Sequence, residues 1–343
     1  MKIAVQSKSG EAAFQCGDRE TILHAGLRQG FGLPYECATG TCGTCRARIV
    51  SGDVDMRWKE APGAARLKPE KGDILMCQTW ARSDCVIKVP SEIAIKETSH
   101  PTSRHGIIRN IRKMTKDVAR FDVHLSAPMH FEAGQFVVVE SADLTGGRAY
   151  SMVNFDTVVD RIELVLKRKQ GGRFSDWLFD ERQGDPDVAV FGPLGRAVFR
   201  PREGKNIVCI AGGSGIAGMM SILECALQAD YFHGHKGAVF FGVRTLKDTF
   251  YLEPLARYVE ASHGNLEVTI GLSDESVVAT SHANFPALRL ANGMVHEIAA
   301  AMAGRYDDAI AYVAGPPVMV DAAIRVLIAS GVATGDIRYD KFG

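Results

Sequence analysis

The sequence predicts a multidomain chain: a small α+β module, an antiparallel β-barrel and a doubly wound α/β module, in that order. Three observations carry this. Four cysteines, Cys37, Cys42, Cys45 and Cys77, gather in the first 92 residues with the spacing C-x4-C-x2-C and a distant fourth. Residues 105–200 alternate apolar and polar side chains at period two between turn residues. Beyond residue 204, continuous apolar runs end in glycines and lead into helical stretches. A chain of 343 residues has room for about two or three such units.

The cysteine loop comes first. LPYECATGTCGTCRAR fills residues 33–48. Three cysteines within nine residues are too crowded for mutual disulfides without strain. They suit a loop wrapped around one small charged object. Gly40 and Gly43 alternate with Thr39, Thr41 and Thr44, so the backbone can turn successive N–H groups toward sulfur. Such hydrogen bonds offset the charge of an iron–sulfur cluster, and the spacing is that of a plant-type 2Fe–2S site. Cys77, in DILMCQTW, follows a strand-like run and can approach from the far side. Cys85, in the half-buried strand pattern DCVIKV, is the other candidate for fourth ligand. Zinc would favour paired C-x2-C units, and only Cys42 and Cys45 form one. Cys16, Cys209 and Cys225 sit among apolar neighbours and read as buried, inert thiols. Strands are expected at residues 2–6, 46–50 and 84–89. A helix is expected at 21–29, capped by Asp18 and ended by Gly30.

Residues 91–104, SEIAIKETSHPTSR, are polar, contain Pro101 and lack helical period. They read as a linker, unless Ile93 and Ile95 extend the preceding strand. The barrel strands follow as VARFDVHLS, GQFVVVES, RIELVLKRK and PDVAVFGPLG. Within them RAYSMVN, residues 148–154, places three useful side chains. Arg148 offers a planar fork for a diphosphate. Tyr150, two residues on, faces the same side and presents a flat ring to an isoalloxazine. Ser151 brings a hydroxyl toward flavin N5. Lys167 is a further candidate contact. In KQGGRFSDWL, Gly171 and Gly172 precede a helix expected to start at Ser175, a favourable phosphate site.

In the last module KNIVCIAGG is a buried strand, and IAGMMSILECALQA the helix after it. AGGSGIAG, residues 211–218, joins them. This strand–glycine turn–helix context makes Gly212, Gly213, Ser214 and Gly215 dinucleotide contacts. GAVFFGV, LEVTIGLS and AIAYVAGPP repeat the strand pattern of a doubly wound parallel sheet. AGPPVMV adds Gly315, Pro316, Pro317 and Met319. An acid near the adenosine ribose favours NAD, a cation NADP. Ser273 and Asp274 follow LEVTIGL and point to NADH; Arg244, after FFGV, would accept a phosphate and keeps NADPH open.

YECATGTCGTC with the later CQT resembles the ferredoxin module of flavin-dependent reductases of bacterial aromatic-ring oxygenases. GQF at Gly134, RAYS at Arg148, GGRFS at Gly171 and GPLG at Gly192 are similar in order to the ferredoxin–NADP reductase superfamily. The resemblance implies a β-grasp 2Fe–2S ferredoxin domain over residues 1–92, a linker over 93–104, an FAD-binding β-barrel over 105–202 and an NAD(P)-binding α/β domain over 203–343. It implies FAD rather than FMN. Electrons would pass from NAD(P)H through FAD and the cluster to a Rieske-type ferredoxin or terminal oxygenase of aromatic hydrocarbon catabolism. A di-iron monooxygenase, another one-electron acceptor, or a non-catalytic redox sensor are the alternatives. Tyr150, Ser151 and the near-terminal Phe342, which could stack on flavin, are the implied catalytic positions. Gly218 stands where the superfamily usually has Pro, and Ala314 where it usually has Cys. Hydride transfer asks for positioning rather than proton chemistry, so no catalytic acid or base is assigned.

Forty basic and forty acidic side chains cancel, so no global field points to nucleic acid or a membrane surface. No apolar run approaches the ~20 residues of a membrane helix. MKIAVQSKSGEAAF lacks the apolar core of a signal peptide, and the cysteine usage suggests the cytoplasm. Acids and bases balance roughly across the first module, so a large acidic docking face is not expected. His233 and His235 read as a surface loop rather than a metal pair.

Overall fold

The computed structural model describes residues 1–95, 100–142, 144, 146–181, 184–301, 306 and 308–341. The first module contains β1 (Lys2–Ser7), β2 (Gly10–Gln15), α1 (Ile22–Arg28), β3 (Arg46–Ser51), β4 (Val54–Met56), β5 (Asp73–Leu75), β6 (Thr79–Ala81) and β7 (Cys85–Lys88). Its main sheet runs β2-β1-β7-β3-β5, with β1 and β7 parallel and the other pairs antiparallel. Helix α1 buries Ile22, Leu23 and Leu27 against Ile3, Val5, Phe14 and Ile87 of the sheet, which is the β-grasp arrangement. The cap of α1 differs from expectation. Thr21, not Asp18, caps it, its hydroxyl accepting the N–H of His24 at 3.2 Å. Asp18 lies too far upstream, in a turn held by Glu20, which accepts the Gly17 N–H at 2.7 Å and pairs with Arg28 at 2.7 Å.

After β7 the chain does not simply prolong that strand. Ile95 bridges to Phe31, and the Gly32 N–H donates to the Ala94 carbonyl at 2.8 Å. Thr102, Ser103 and Arg104, expected in the linker, already belong to the first barrel strand. The barrel comprises β8 (Thr102–Lys113), β9 (Val118–His130), β10 (Phe136–Ser141), β11 (Arg148–Ser151), β12 (Val158–Lys167), α2 (Arg173–Asp176) and β13 (Asp187–Leu194). The antiparallel order is β11-β10-β13-β8-β9-β12, and a bridge from Met152 to Leu164 brings the two ends together. Phe121, Val123, Val137, Val139, Ile162 and Val190 fill the interior.

The third module holds β14 (Asn206–Gly212), α3 (Ile216–Gln228), β15 (Gly237–Val243), α4 (Leu252–Ala261), β16 (Leu266–Leu272), β17 (Leu288–Asn292), α5 (Val295–Ala301), β18 (Ala309–Gly315), α6 (Pro317–Ala329) and β19 (Ile337–Lys341). All six strands are parallel, in the order β17-β16-β15-β14-β18-β19. Helices cover both faces, so β14 reads as an unbroken apolar run. The chain winds one way from β14 to β17, then returns to β18 on the other side. The switch point therefore lies between β14 and β18, where open α/β sheets bind ligands.

The modules are packed together. His24 of α1 stacks on Phe191 of β13, ring centroids 4.0 Å apart. Phe136, Val138, Phe191 and Leu194 of the barrel share a core with Phe31 and Leu33. Burial lowers the His24 imidazole to about 4 against a small opposing pull from Glu20. Among the described residues, no helix is long and apolar enough to cross a membrane.

Candidate functional site

The cysteine loop is shaped by backbone conformations that side chains resist. Gly40 and Gly43 have φ of +90° and +82°. A Cβ on Gly43 would fall 2.9 Å from the Gly63 carbonyl oxygen. With the loop so turned, the N–H groups of Thr39 and Cys42 point at Cys37 Sγ, at 3.5 and 3.3 Å, and that of Thr44 at Cys42 Sγ, at 3.5 Å. The Sγ atoms of Cys45 and Cys77 are 3.2 Å apart, well beyond a disulfide bond and suited to two ligands of one metal. The Cys42 thiol and the backbone donors pull Cys37 down to about 6 although burial opposes them. Cys85 meets the carbonyls of Ser83 and Asp53 instead, at 3.3 and 3.5 Å, within the sheet. Four converging thiols, two of them met by inward N–H groups, are a donor set that fits a 2Fe–2S cluster.

In the barrel, β11 pairs with β10, bringing Ser151 opposite Phe136 and Arg148 opposite Val139. Tyr150 meets Phe121 edge-on at 5.8 Å and leans on Phe174 at 5.7 Å. This packing fixes the ring plane, and burial raises the phenol's pKa. Arg148 folds back to donate to the Gly147 carbonyl at 2.9 Å. Helix α2 starts at Arg173, capped by Gly172, two residues before the expected Ser175. The Ser175 hydroxyl is used inside the loop, donating to Gly172 O at 2.8 Å and accepting from Lys169 N at 3.2 Å. The hydroxyl expected at a phosphate is thus held in place within the first turn of α2, and Gly171 precedes it in the open. Lys167 ends β12, 3.8 Å from Asp117, with its ammonium facing Gly213. Half-exposed Arg148 and Lys167 with the fixed Tyr150 ring fit a flavin carrying an anionic diphosphate.

At the switch point the two nicotinamide-side loops touch. A Cβ on Gly215 would fall 2.2 Å from the Ala314 carbonyl, and one on Gly212 would meet Met319 Cε at 2.9 Å. The loop of Gly212, Gly213, Ser214 and Gly215 leads into α3, and Pro316 and Pro317 introduce α6 after Gly315. Two helix starts therefore stand side by side, and helix N-termini favour phosphate groups. Gly218, on the first turn of α3, lies against the Ser151 side chain. Gly134 N donates to Ser221 Oγ at 2.9 Å, and that hydroxyl donates to Gly218 O at 2.9 Å. The departure from Pro at position 218 thus sits where barrel and nicotinamide loop meet.

Where the ribose is expected, Asp274 N donates to the Arg244 carbonyl at 2.9 Å. Ser273 Oγ donates to Asp274 Oδ1 at 2.7 Å. The Arg244 guanidinium is held by Asp117 and Asp248, each at 3.5 Å. Those carboxylates escaped the sequence reading, because Asp117 belongs to a turn of a different module. Two junctions escaped it as well. Gly195 N donates to Tyr35 Oη at 3.1 Å, and Tyr339 Oη donates to Glu36 at 3.2 Å, next to Cys37. Phe342 lies outside the described residues.

Family models agree with this order. That of a 2Fe-2S iron-sulfur cluster binding domain matches residues 5–82, that of an oxidoreductase FAD-binding domain 105–199 and that of an oxidoreductase NAD-binding domain 209–325. The chain is 32% identical over 338 residues to the ferredoxin–NAD(P)+ reductase CarAd of Metapseudomonas resinovorans, covering 97% of this chain and 98% of that one. It is 38% identical over 246 residues to the ferredoxin–NAD+ reductase component of the alkene monooxygenase system of Xanthobacter autotrophicus, covering 71% and 74%. It is 30% identical over 328 residues to the reductase component DmpP of a Pseudomonas phenol 2-monooxygenase, covering 95% and 90%. Among solved structures, the ferredoxin reductase in carbazole 1,9a-dioxygenase superposes with a TM-score of 0.83 at 30% identity, covering 100% and 99%. The chain belongs to the ferredoxin–NAD(P)+ reductase components of bacterial oxygenase systems, oxidoreductases that join a 2Fe–2S domain, an FAD domain and an NAD domain in one polypeptide.

Proposed function

We propose that this chain oxidises NADH and delivers single electrons to a Rieske-type ferredoxin or the terminal oxygenase of an aromatic-hydrocarbon system. One observation carries the reading: its three sites are joined in series. Ser151 abuts Gly218 on the nicotinamide side, while Tyr35, two residues before Cys37, takes the N–H of Gly195 from the barrel. When bound, FAD supplies the exchange between a hydride and single electrons, and the 2Fe–2S centre a one-electron relay.

The chain's own residues bind and orient. The loops at residues 212–215 and 315–319 take the dinucleotide diphosphate at two helix starts. Arg148, Lys167, Gly171 and Gly172 take that of FAD, with Tyr150 setting the ring plane and Ser151 at its reacting edge. Cys37, Cys42, Cys45 and Cys77 ligate the cluster. NADH is favoured over NADPH because two carboxylates occupy Arg244 beside Asp274, leaving little free positive charge for a 2′-phosphate. Domain boundaries after residues 92 and 202 are supported by β7 ending at Lys88 and β14 beginning at Asn206. A cytoplasmic setting is supported by the four cysteines outside the ligand set, Cys16, Cys85, Cys209 and Cys225, which form no disulfide. The identity to a phenol 2-monooxygenase reductase supports a second acceptor class, a monooxygenase.

Absorption spectroscopy of the purified holoprotein, with NADH-driven cytochrome c reduction, tests this. Flavin and 2Fe–2S bands with turnover are expected; a colourless, zinc-loaded protein overturns it.

A further inference from the structure

Of the four cluster thiols only Cys42 is not buried. The short way out for an electron therefore starts at Cys42 and the surface loop around it, residues 41–44. The turn Pro62–Arg66 flanks that edge. Gly63 N donates to the Gly40 carbonyl at 2.9 Å, and a Cβ on Gly63 would meet Gly43 N at 2.6 Å. Backbone lies on backbone here, so the side chains of this segment form the rim of the exit.

The rim is cationic. Residues 57–71 carry Arg57, Lys59, Arg66, Lys68 and Lys71 against Glu60 and Glu70. All seven are exposed. Of the five cations, only Arg57 has an ion-pair partner among the described residues, Asp55 at 3.7 Å, which it shares with Arg82. Directly after Cys45, Arg46 and Arg48 share the single carboxylate of Asp73. Residues 1–40 and 74–92 each hold equal numbers of acids and bases, so the positive excess of the module falls within residues 41–73, the stretch that includes its exposed ligand. Exposed Pro62 and Ala65 and half-buried Trp58 add apolar surface within it.

We propose that the loop at 41–44 and the segment at 57–71 form the docking face for an electron-accepting protein whose own acceptor face is acidic. The proposal rests on the reading of the chain as a reductase with the cluster as its exit. The balance is NADH plus two oxidised acceptors giving NAD+, one proton and two singly reduced acceptors. Charges of one sign around an exit steer encounter and set which partners can approach.

Two protein probes of opposite charge test it: acidic rubredoxin and basic cytochrome c, each reduced with NADH by the holoprotein from low to high NaCl. The expected result is a rubredoxin kcat/KM that falls with salt and a cytochrome c value that does not. In the double variant Lys59→Glu with Arg66→Glu, the rubredoxin value at low salt should drop roughly tenfold and that for cytochrome c should rise. A control, Lys2→Glu with Lys8→Glu, makes the same change in net charge on another part of the module and should leave both values in place. NADH–ferricyanide reduction and the 2Fe–2S spectrum should match wild type in both variants. Equal salt responses for the two probes, no rubredoxin reduction while cytochrome c is reduced, or equal effects of rim and control variants overturn the docking face. Loss of NADH–ferricyanide reduction in the wild type instead overturns the reductase reading.

Discussion

Gly218 rests on Ser151: a methyl group at position 218 would sit 3.5 Å from the Ser151 hydroxyl oxygen. This contact places the first turn of the nicotinamide helix directly over the strand that carries the proposed flavin contacts. The gap is wide enough for a methyl and too narrow for a branched side chain.

A larger residue there should wedge the two sites apart. Gly218→Leu is expected to slow flavin reduction by NADH about tenfold or more, since small misplacements of reacting atoms are costly. Gly218→Ala should change it less than about twofold and strengthen α3 by up to ~1 kcal/mol. Anaerobic stopped-flow absorbance with NADH reads both, and dithionite reduction checks that the flavin is still held.

Loss of one cluster ligand should separate the two halves of the electron path. Cys45→Ser is expected to abolish cytochrome c reduction while NADH–ferricyanide reduction persists, because ferricyanide takes electrons from the flavin directly. Survival of both activities with an intact 2Fe–2S spectrum would remove Cys45 from the ligand set.

Cofactor choice should respond to the ribose edge. Asp274→Ser removes an acid beside Arg244. The ratio of kcat/KM for NADPH to that for NADH is expected to rise about tenfold, or ~1.4 kcal/mol of discrimination. An unchanged ratio would place the ribose elsewhere.

The stack of His24 on Phe191 makes docking of the first module sensitive to acid. Burial lowers the imidazole to about 4, below its ordinary 6.5. Between these values the unfolded chain binds more protons than the folded one, so this group's contribution is full above pH 6.5 and is lost as pH falls toward 4. Among the described residues, His24 Nε2 also has no hydrogen-bond partner. His24→Phe should therefore be at least as stable as wild type at pH 7, and increasingly more stable from pH 6.5 down to 4. Denaturation midpoints of the two proteins across this range give the difference; a constant gap would show that His24 is not buried neutral.

Legibility in the sequence followed the range of the interaction that determined each feature. The run KNIVCIAGG was readable as β14 because both faces of that strand are covered, so Ile207 to Ala211 are all apolar and buried. LRLAN and IRYDK, which form β17 and β19, are short, mixed in polarity and at or near the sheet margins, and periodicity does not mark them. Asp18 and Thr21 are both acceptable caps; the choice of Thr21 is made by Glu20, which ties down the preceding turn. The bonds of the Ser175 hydroxyl to Lys169 and Gly172 depend on the fold of the loop, which its residue type alone does not announce. Cys77 and Cys85 could be separated only once the sheet carried Cys85 off between β1 and β3. The bonds of Tyr35 to Gly195 and of Glu36 to Tyr339 join residues 160 and 303 positions apart, and no local pattern encodes them.

Half-exposed Cys42 leaves one side of the thiol loop open to solvent. With a cluster bound, an edge open enough for a protein would be open to dioxygen too, and an electron lost there would yield superoxide instead of useful reduction. The fidelity of the chain is then a race between partner encounter and a small diffusing oxidant. A charged rim that hastens the right encounter shortens the time for which that edge stands bare.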